Sequence, residues 1–491
     1  MKQERIEAIE KLAKENGLDF FPVVFEVVSA NTMNNVCSYG LPTRARHWSY
    51  GRSYDHQRIY GEMGYSKVYE MITNNNPSYA FMLDSNTEAQ NIMIVAHCYS
   101  HSSFFKNNVL FQGSDRNMAR HAAEHADRID KYIDQHGLDA VERMMDIGFG
   151  LDAHIDFHKG LYRKAYPSRH IRERVVKLGE FDDLLEPQKS KQPSRIKEII
   201  NAILPPNPEK DLLWFFINYA PLEEWERDIL DIVREESFYF YPQAHTKIMN
   251  EGWASYWHAE LLHQYKDISP EEHLDFARTH EKVLQPGNPF SINPYYMGFK
   301  ILKDIEKRWD KKYAAGESNI TGRQKIFEVV KAEDDTSFLR NYLTLELADE
   351  LKLFTFGRED DWENDDEDCD DDILYEIKSR MLEDIIEVMV RPRYNNWSPR
   401  IVITDASPEK ICLRHNSEEL GTLSFKYAEH ALEYIWELWA APVELRVKDD
   451  EGQDVVLIFD EAGFSTKYIE DSFTFEDEEE EDKPVRKTKR P

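Results

Sequence analysis

Two segments of the chain decide how its main body folds. Residues 92–101 read Ile-Met-Ile-Val-Ala-His-Cys-Tyr-Ser-His, and residues 250–258 read Asn-Glu-Gly-Trp-Ala-Ser-Tyr-Trp-His. Histidines four residues apart, here His97 and His101, lie on one face of a helix with about 6 Å of rise between them, so both imidazoles can reach one ion. A carboxylate from a second helix would complete a catalytic zinc site with three protein ligands and one water. The first segment therefore predicts a metal centre.

The first segment departs from the metalloprotease signature, which places a glutamate directly after the first histidine as the general base. This chain has Cys98 at that position. A ligating imidazole is not free to activate a thiol, so we expect Cys98 to be a buried structural cysteine. The histidines could instead tie a helix to the neighbouring loop, and that interpretation stays open beside the metal centre.

The second segment resembles the Asn-Glu-Gly-aromatic-Ala-Ser-Tyr stretch of zinc aminopeptidases, in which the glutamate is the third zinc ligand. The resemblance implies that Glu251 joins His97 and His101 as a metal ligand in a zincin-like helical body. Zinc is the expected cofactor, with manganese or iron as alternatives. Far more residues separate His101 from Glu251 than in those enzymes, so metal could bind without peptide hydrolysis. Gly252 inside this helix predicts the close approach of another backbone.

The composition of the chain excludes several classes of protein. Its 491 residues carry a formal net charge of −31, and the sequence pI is about 5.0. This charge repels phosphate backbones and anionic membrane surfaces, so nucleic acid is not an expected partner. The four cysteines form no Cys-x-x-Cys pair, which argues against a disulfide framework. No signal peptide or membrane span is predicted, and the expected compartment is the cytoplasm.

The hydrophobic pattern predicts an α+β protein with a mainly helical body over residues 1–355 and a small α+β domain over 375–470. Between them, an acidic linker or insertion is expected at 356–374, where like charges are too dense to pack. A disordered charged tail is expected at 471–491. In the small domain we predict strands at 401–403, 411–413, 443–447 and 455–459 and a helix at 427–439.

Three segments of the body have weaker patterns. Residues 20–28 fit either a strand or buried connecting chain. Residues 30–65 are dense in Asn, Gly, Tyr, Arg and His and predict a long ordered loop. Prolines and charges predict a surface excursion over 167–208.

Several motifs along the chain resemble the stage V sporulation protein R (SpoVR-like) family. Residues 39–44 read Tyr-Gly-Leu-Pro-Thr-Arg, and residues 338–342 read Phe-Leu-Arg-Asn-Tyr. Further matching segments are 47–51, 67–70, 76–77, 97–108, 246–258 and 293–295. The resemblance extends in order over roughly residues 15–465, so the chain is identified as a member of this family.

Membership of this family implies a biological role for the chain but does not imply a particular chemical reaction. The family is named for formation of the spore cortex, a peptidoglycan layer, and also occurs in bacteria that do not sporulate. There the resemblance implies a stress or starvation system that includes a serine protein kinase and a von Willebrand A-type protein as partners. No settled biochemical activity comes with the family name.

Other polar residues are candidates for acid–base chemistry. His258 would share a helical face with Glu251, where it could serve as an acid–base group, a fourth ligand or a partner of a ligand, or could simply pack between helices. Asp156 and His158 resemble an Ile-Asp-x-His element of the family and could act as an acid–base pair or as alternative metal ligands. Either Glu236 or the adjacent Glu235 could supply the missing general base.

A second set of residues offers positive charge, stacking surface and amide groups that suit an anionic or sugar-containing substrate. These substrate-binding candidates are Arg44, His47, Trp48, Lys106, Asn107 and Asn108. The cationic members could equally form internal salt bridges with nearby acids such as Glu62 and Glu70.

Two classes of function follow from these observations. The first is a metal-dependent hydrolase that acts on peptidoglycan precursors, peptides or a modified protein. The second is a non-catalytic regulatory or scaffold protein that works with the kinase. Bound metal in the purified protein separates the two, because the scaffold does not need it.

Overall fold

The computed structural model describes residues 2–62, 68–159, 204–287, 291–358, 375–395, 397–417 and 421–469. Within these ranges the helices are α1 (Gln3–Glu15), α2 (Ala30–Tyr39), α3 (Trp48–Glu62), α4 (Glu88–Asn107), α5 (Met118–His136), α6 (Leu138–Leu151), α7 (Leu212–Tyr219), α8 (Glu224–His245), α9 (Lys247–Gln264), α10 (Pro270–Val283), α11 (Pro294–Ala314), α12 (Gly322–Ala332), α13 (Asp335–Tyr342), α14 (Leu345–Glu350), α15 (Leu382–Val390) and α16 (Phe425–Trp439). The strands are β1 (Val23–Val28), β2 (Glu70–Ile72), β3 (Ser78–Leu83), β4 (Thr355–Arg358), β5 (Tyr375–Ser379), β6 (Ile401–Ala406), β7 (Ile411–His415), β8 (Val443–Lys448), β9 (Asp454–Asp460) and β10 (Gly463–Tyr468). The predicted α+β class is confirmed.

Helices α4 and α9 form the centre of the first hydrophobic core. Residues 92–105 of α4 and residues 248–259 of α9 are buried without interruption. A helix that is apolar on all sides must be surrounded by other elements, and α4 and α9 pack against each other with α1 and α10–α15 around them. Any polar side chain on these two helices is therefore taken out of bulk water.

A small sheet with the strand order β1-β3-β2 lies against α4. Strand β1 pairs parallel with β3, and β2 pairs antiparallel with β3. Residues 20–28, for which the sequence left two alternatives, thus contribute a strand. The predicted loop over residues 30–65 was wrong, because α2 and α3 occupy most of it. The Ser29 side chain caps the start of α2, and Gly40, with φ +71°, ends this helix. Few residues of α2 are buried, which explains why the hydrophobic periodicity of its sequence is weak.

The second hydrophobic core joins the C-terminal sheet to helices of the body. The sheet has the order β10-β9-β8-β7-β6, and α16 packs on β8 and β9. The four predicted strands and the intervening helix are all present. Side chains of α6, α7 and α8 belong to the same core as this sheet, whereas α15 belongs to the first core. Each hydrophobic core therefore contains residues from both sides of the predicted linker, and the predicted domain boundaries stay a prediction.

Several predicted segments lie outside the described residues. They are most of the acidic linker, most of the excursion over 167–208 and the whole tail at 471–491. Strands β4 and β5, which flank the acidic stretch, pair antiparallel. No helix in the described ranges combines the length and apolar character that crossing a membrane requires.

A buried histidine links the end of α6 to the C-terminal domain and predicts a pH dependence of stability. The Nε2–H of His154 donates to the Pro399 carbonyl oxygen at 2.8 Å, and burial lowers the pKa of His154 to about 4. The unfolded chain takes up this proton near pH 6.5 and the folded chain does not, so stability is complete above pH 6.5 and falls as the pH drops towards 4. We expect a loss of about 2 kcal/mol between pH 7.5 and 5 from this residue.

Urea unfolding of the His154→Gln variant at both pH values measures this contribution. The variant keeps a donor to Pro399 and cannot titrate, so its stability should fall by about 2 kcal/mol less than that of the parent chain. The exposed His430 provides a matched control, since His430→Gln should keep the full pH dependence. Equal pH dependence in the parent chain and His154→Gln would contradict a buried neutral imidazole.

Candidate metal centre

Helix α4 places two imidazoles one turn apart inside the first core. The helix begins with a capping box between Thr87 and Gln90, and its uninterrupted apolar run carries it into the core. His97 and His101 are only 3% and 6% exposed. The ring nitrogens of both histidines are therefore shielded from hydrogen bonds with bulk water.

Helix α9 brings a carboxylate to the same place. Asp335 of α13 accepts hydrogen bonds from the backbone N–H groups of Ile248 and Met249 at 2.8 and 2.9 Å, which fixes the first turn of α9. Gly252 lies against Gly298 of α11, and a Cβ on Gly252 would come within 2.4 Å of the Gly298 carbonyl carbon. The predicted close backbone approach at Gly252 is therefore present. This crossing holds Glu251, which is 5% exposed, against α4.

One ligand atom from each of His97, His101 and Glu251 can be chosen so that the three lie within 4.8 Å of one another. The two Nε2 atoms are 2.9 Å apart, and Glu251 Oε2 lies 3.6 Å from His97 Nε2 and 3.4 Å from His101 Nε2. Ligands at about 2.0–2.1 Å from a tetrahedral ion lie roughly 3.3 Å from one another. The spacing matches one small cation shared by all three groups.

The surrounding hydrogen bonds orient these ligand atoms. His101 Nδ1–H donates to Asn250 Oδ1 at 2.8 Å, which leaves the Nε2 lone pair of the neutral ring facing the site. Outer partners of this kind fix the tautomer of metal-binding histidines. Glu251 Oε1 forms an ion pair with Lys247, whereas the buried Oε2 has no hydrogen-bond partner. An unsatisfied carboxylate oxygen in a protein interior is rare and needs a partner such as an ion.

The charges around the site favour an ionised carboxylate. Burial raises the pKa of Glu251, but Lys247, His101 and His97 more than offset it and hold that pKa well below its usual range. Burial likewise works against protonation of His97, yet Glu251 and Glu70 raise its pKa. The site therefore holds an ionised Glu251 carboxylate next to the two imidazoles.

Glu70 is a residue of this site that the sequence interpretation missed. It lies on β2, and its Oε1 is 3.6 Å from His97 Nε2. The motif at residues 67–70 gave a signal, but nothing in the sequence places this three-residue strand beside α4. Tyr295 was missed in the same way. Its ring stacks on His97 with 6.2 Å between centroids, and the Glu251 charge and burial raise the pKa of its hydroxyl.

His258 lies behind the candidate ligands rather than beside the carboxylate. Its Nδ1 is 3.1 Å from His97 Nδ1, and its Nε2 is 2.7 Å from His280 Nδ1. Burial and the neighbouring imidazoles hold the pKa of His258 well below its usual range. It is placed to orient His97, and its predicted acid–base role stays a prediction.

The other acid–base candidates have their partners elsewhere in the structure. Glu236 accepts from Arg44 Nε at 2.7 Å and lies 3.2 Å from His125 Nδ1. Asp156 pairs with Lys210 at 2.9 Å and accepts from the His158 backbone N–H. Glu236 belongs to a buried ion-pair cluster, and Asp156 and His158 border clefts near the C-terminal sheet. Their catalytic roles remain predictions.

The substrate-binding candidates have internal partners. Arg44 pairs with Glu236, and His47 Nε2 and Trp48 Nε1 reach Asp146 at 3.1 and 2.9 Å. The residues after His101 tie the end of α4 to other segments. Lys106 pairs with Asp19, Asn107 donates to the Asp19 carbonyl, and Asn108 donates to the carbonyls of Val330 and Glu333. These contacts agree with the alternative of internal ion pairs, but the acids that pair with Arg44 and Lys106 are Glu236 and Asp19 and not Glu70.

Cys98 lies in the first core, where burial raises the pKa of its thiol well above the usual range. A thiol held in this protonated form is a poor nucleophile. The residue that replaces the metalloprotease glutamate therefore contributes packing, as the sequence predicted.

Comparisons with known proteins agree with the motifs. A family model described as SpoVR like protein matches residues 2–389. The chain is 28% identical over 477 residues to the Escherichia coli (strain K12) protein named Uncharacterized protein YcgB, in an alignment that covers 90% of this chain and 91% of that protein. No solved structure matches the chain.

Proposed function

This chain belongs to the SpoVR-like family, and we propose that it is a metal-dependent hydrolase with zinc held by His97, His101 and Glu251. The observation that carries the proposal is the convergence of two imidazole Nε2 atoms on a buried carboxylate oxygen that has no hydrogen-bond partner. Two imidazoles and one carboxylate suit zinc, with manganese or iron as alternatives.

Three protein ligands leave a coordination position for water. When bound, zinc supplies Lewis acidity and makes a water ligand a good nucleophile near neutral pH. Glu70 then serves as the general base that position 98 does not provide, because its carboxylate lies 3.6 Å from His97 Nε2 and is partly exposed. In hydrolysis Glu70 takes a proton from the attacking water and returns it to the leaving group as the scissile bond breaks.

The exposed side of the site indicates the route of a substrate. The side chain of Lys247 is 55% exposed while its Nζ contacts Glu251, and Glu70 is 17% exposed. A substrate would therefore approach from the side of Lys247 and Glu70. We propose peptidoglycan precursors, peptides or a modified protein as substrates, in a cytoplasmic role linked to spore cortex formation or to stress.

Glu70→Gln tests the proposed base. The amide cannot accept the proton, so we expect at least a 100-fold loss of hydrolysis while metal content stays near one ion per chain. Elemental analysis measures the metal, and a panel of peptide amides and cell-wall precursor peptides measures hydrolysis. Glu26→Gln, on the exposed surface of β1 in the same sheet, is the matched control and should change neither quantity.

The regulatory alternative, a scaffold that works with a serine protein kinase, predicts a different pattern. In that case Glu70→Gln and Glu251→Gln would complement a deletion strain as well as the parent chain does. Full complementation by normally folded Glu251→Gln protein would refute an essential role of the metal site. A folded variant that fails to complement supports the hydrolase.

A further inference from the structure

A cleft of about 1020 Å³ lies beside the C-terminal sheet, where β6–β9 meet residues 206–210. It shares Lys210 and Arg400 with a neighbouring cleft that also contains His158 and Arg340. None of these residues belongs to the candidate metal centre. The volume is that of a pocket for a small organic ligand.

Two arginines on adjacent strands give the cleft its charge. Arg414 of β7 and Arg446 of β8 are register partners in a parallel pair, so their backbones are about 4.8 Å apart. Both side chains are exposed and line the cleft. Like charges on neighbouring positions of a sheet are destabilising. The pairing of two arginines is unexpected in a chain with a net charge of −31, because acidic residues are abundant.

The acids of the cleft are already paired with its lysines. Asp156 pairs with Lys210, and Glu209 pairs with Lys159. The remaining acid, Asp454, lies 3.3 Å from Lys448. Within the part of the chain that the structure describes, neither Arg414 nor Arg446 has an acidic partner. Among the described residues, these two guanidinium groups are therefore positive charges of the cleft without an acidic partner.

The lining of the cleft also includes a buried histidine. His415 follows Arg414, lines the cleft and is 5% exposed. Neither of its ring nitrogens has a hydrogen-bond partner among the described residues. Buried polar atoms without partners are uncommon in proteins and often mark a site that a water, ion or ligand completes.

We propose that this cleft binds an organic phosphate, with Arg414 and Arg446 as the phosphate-binding residues. Each guanidinium can donate two parallel hydrogen bonds to one compact anion, and a phosphate monoester offers three terminal oxygens to two such forks. An acidic peptide is the alternative anionic ligand, but its carboxylates are spread along the peptide and do not offer several oxygens to both arginines at one point. Val402, the register partner of Arg414 on β6, also lines the cleft with a half-buried apolar side chain that contacts the organic part of the ligand.

Calorimetric titration of the full chain with phenyl phosphate tests this site. We expect saturable binding that weakens about tenfold or more in Arg446→Gln and in Arg414→Gln, since each loses charge-assisted hydrogen bonds. Lys467→Gln is the matched control, because Lys467 occupies the same register row on the edge strand β10 and does not line the cleft. Its affinity should equal that of the parent chain.

Glu251→Gln separates this site from the metal centre. It should bind phenyl phosphate with unchanged affinity, whether or not the chain proves to be a hydrolase. Loss of binding in Glu251→Gln would place the phosphate at the metal centre and overturn the proposal. Equal weakening by Lys467→Gln would also overturn it, as would a tetraglutamate peptide that binds where phenyl phosphate does not.

Discussion

Replacing Glu251 with glutamine is expected to lower zinc affinity by more than about 100-fold, because changes to outer partners of metal ligands alone cost about 10–100-fold. The amide is neutral and a weak ligand, so the ion loses its only charged protein ligand among His97, His101 and Glu251. Competition with a chelator measures the affinity, and elemental analysis after gentle purification measures the occupancy. His97→Ala should produce a comparable loss.

Glu260→Gln is the control for this change. Glu260 lies on the same helix, and its ion pairs with Lys303 and Arg323 are outside the site. This variant should keep the zinc affinity of the parent chain. Melting of the metal-free proteins completes the comparison. Loss of the ion pair with Lys247 should make metal-free Glu251→Gln about 1–3 kcal/mol less stable in either case, so only a rise in melting temperature on adding zinc, larger for the parent chain than for the variant, supports a metal ligand.

Gly298→Ala is expected to destabilise the chain by about 3 kcal/mol or more, at the upper end of what overpacking costs. The added Cβ would lie 2.0 Å from the Ile248 carbonyl oxygen and 2.7 Å from the Gly252 Cα. Both are backbone atoms, so no side chain can turn away, and α9 and α11 must separate. Because α9 carries Glu251, the variant should also bind metal more weakly.

Denaturant unfolding of Gly298→Ala beside Gly51→Ala measures this effect. Gly51 lies within α3, and a Cβ there would meet no atom within 4 Å. Alanine in that helix should be stabilising by up to about 1 kcal/mol. If Gly298→Ala were as stable as the parent chain, the close crossing of α9 and α11 would be wrong.

Local patterns in the sequence predicted the parts of this structure that depend on nearby residues. The spacing of His97 and His101 placed both rings on one helical face, and Gly252 indicated a close helix crossing. Apolar runs located the C-terminal strands. The zincin-like character of the body stays a prediction.

The features that sequence reasoning missed depend on contacts between distant segments. Glu70 reaches His97 because β2 joins the sheet through β3 rather than through any local motif. Arg44 pairs with Glu236, 192 positions away, where the sequence suggested a nearby acid. The cationic cleft likewise arises from the register of β7 with β8, which brings Arg414 beside Arg446.

X-ray absorption spectroscopy of the zinc-loaded full chain identifies the ligands of the ion. Zinc bound by His97, His101 and Glu251 should show two imidazole nitrogens at about 2.0–2.1 Å together with oxygen ligands at about 2.0–2.2 Å. In His97→Ala the imidazole signal should fall to one ring or the zinc should be lost. A parent chain that binds no zinc, or a zinc spectrum that His97→Ala and Glu251→Gln leave unchanged, would contradict a metal centre at His97, His101 and Glu251.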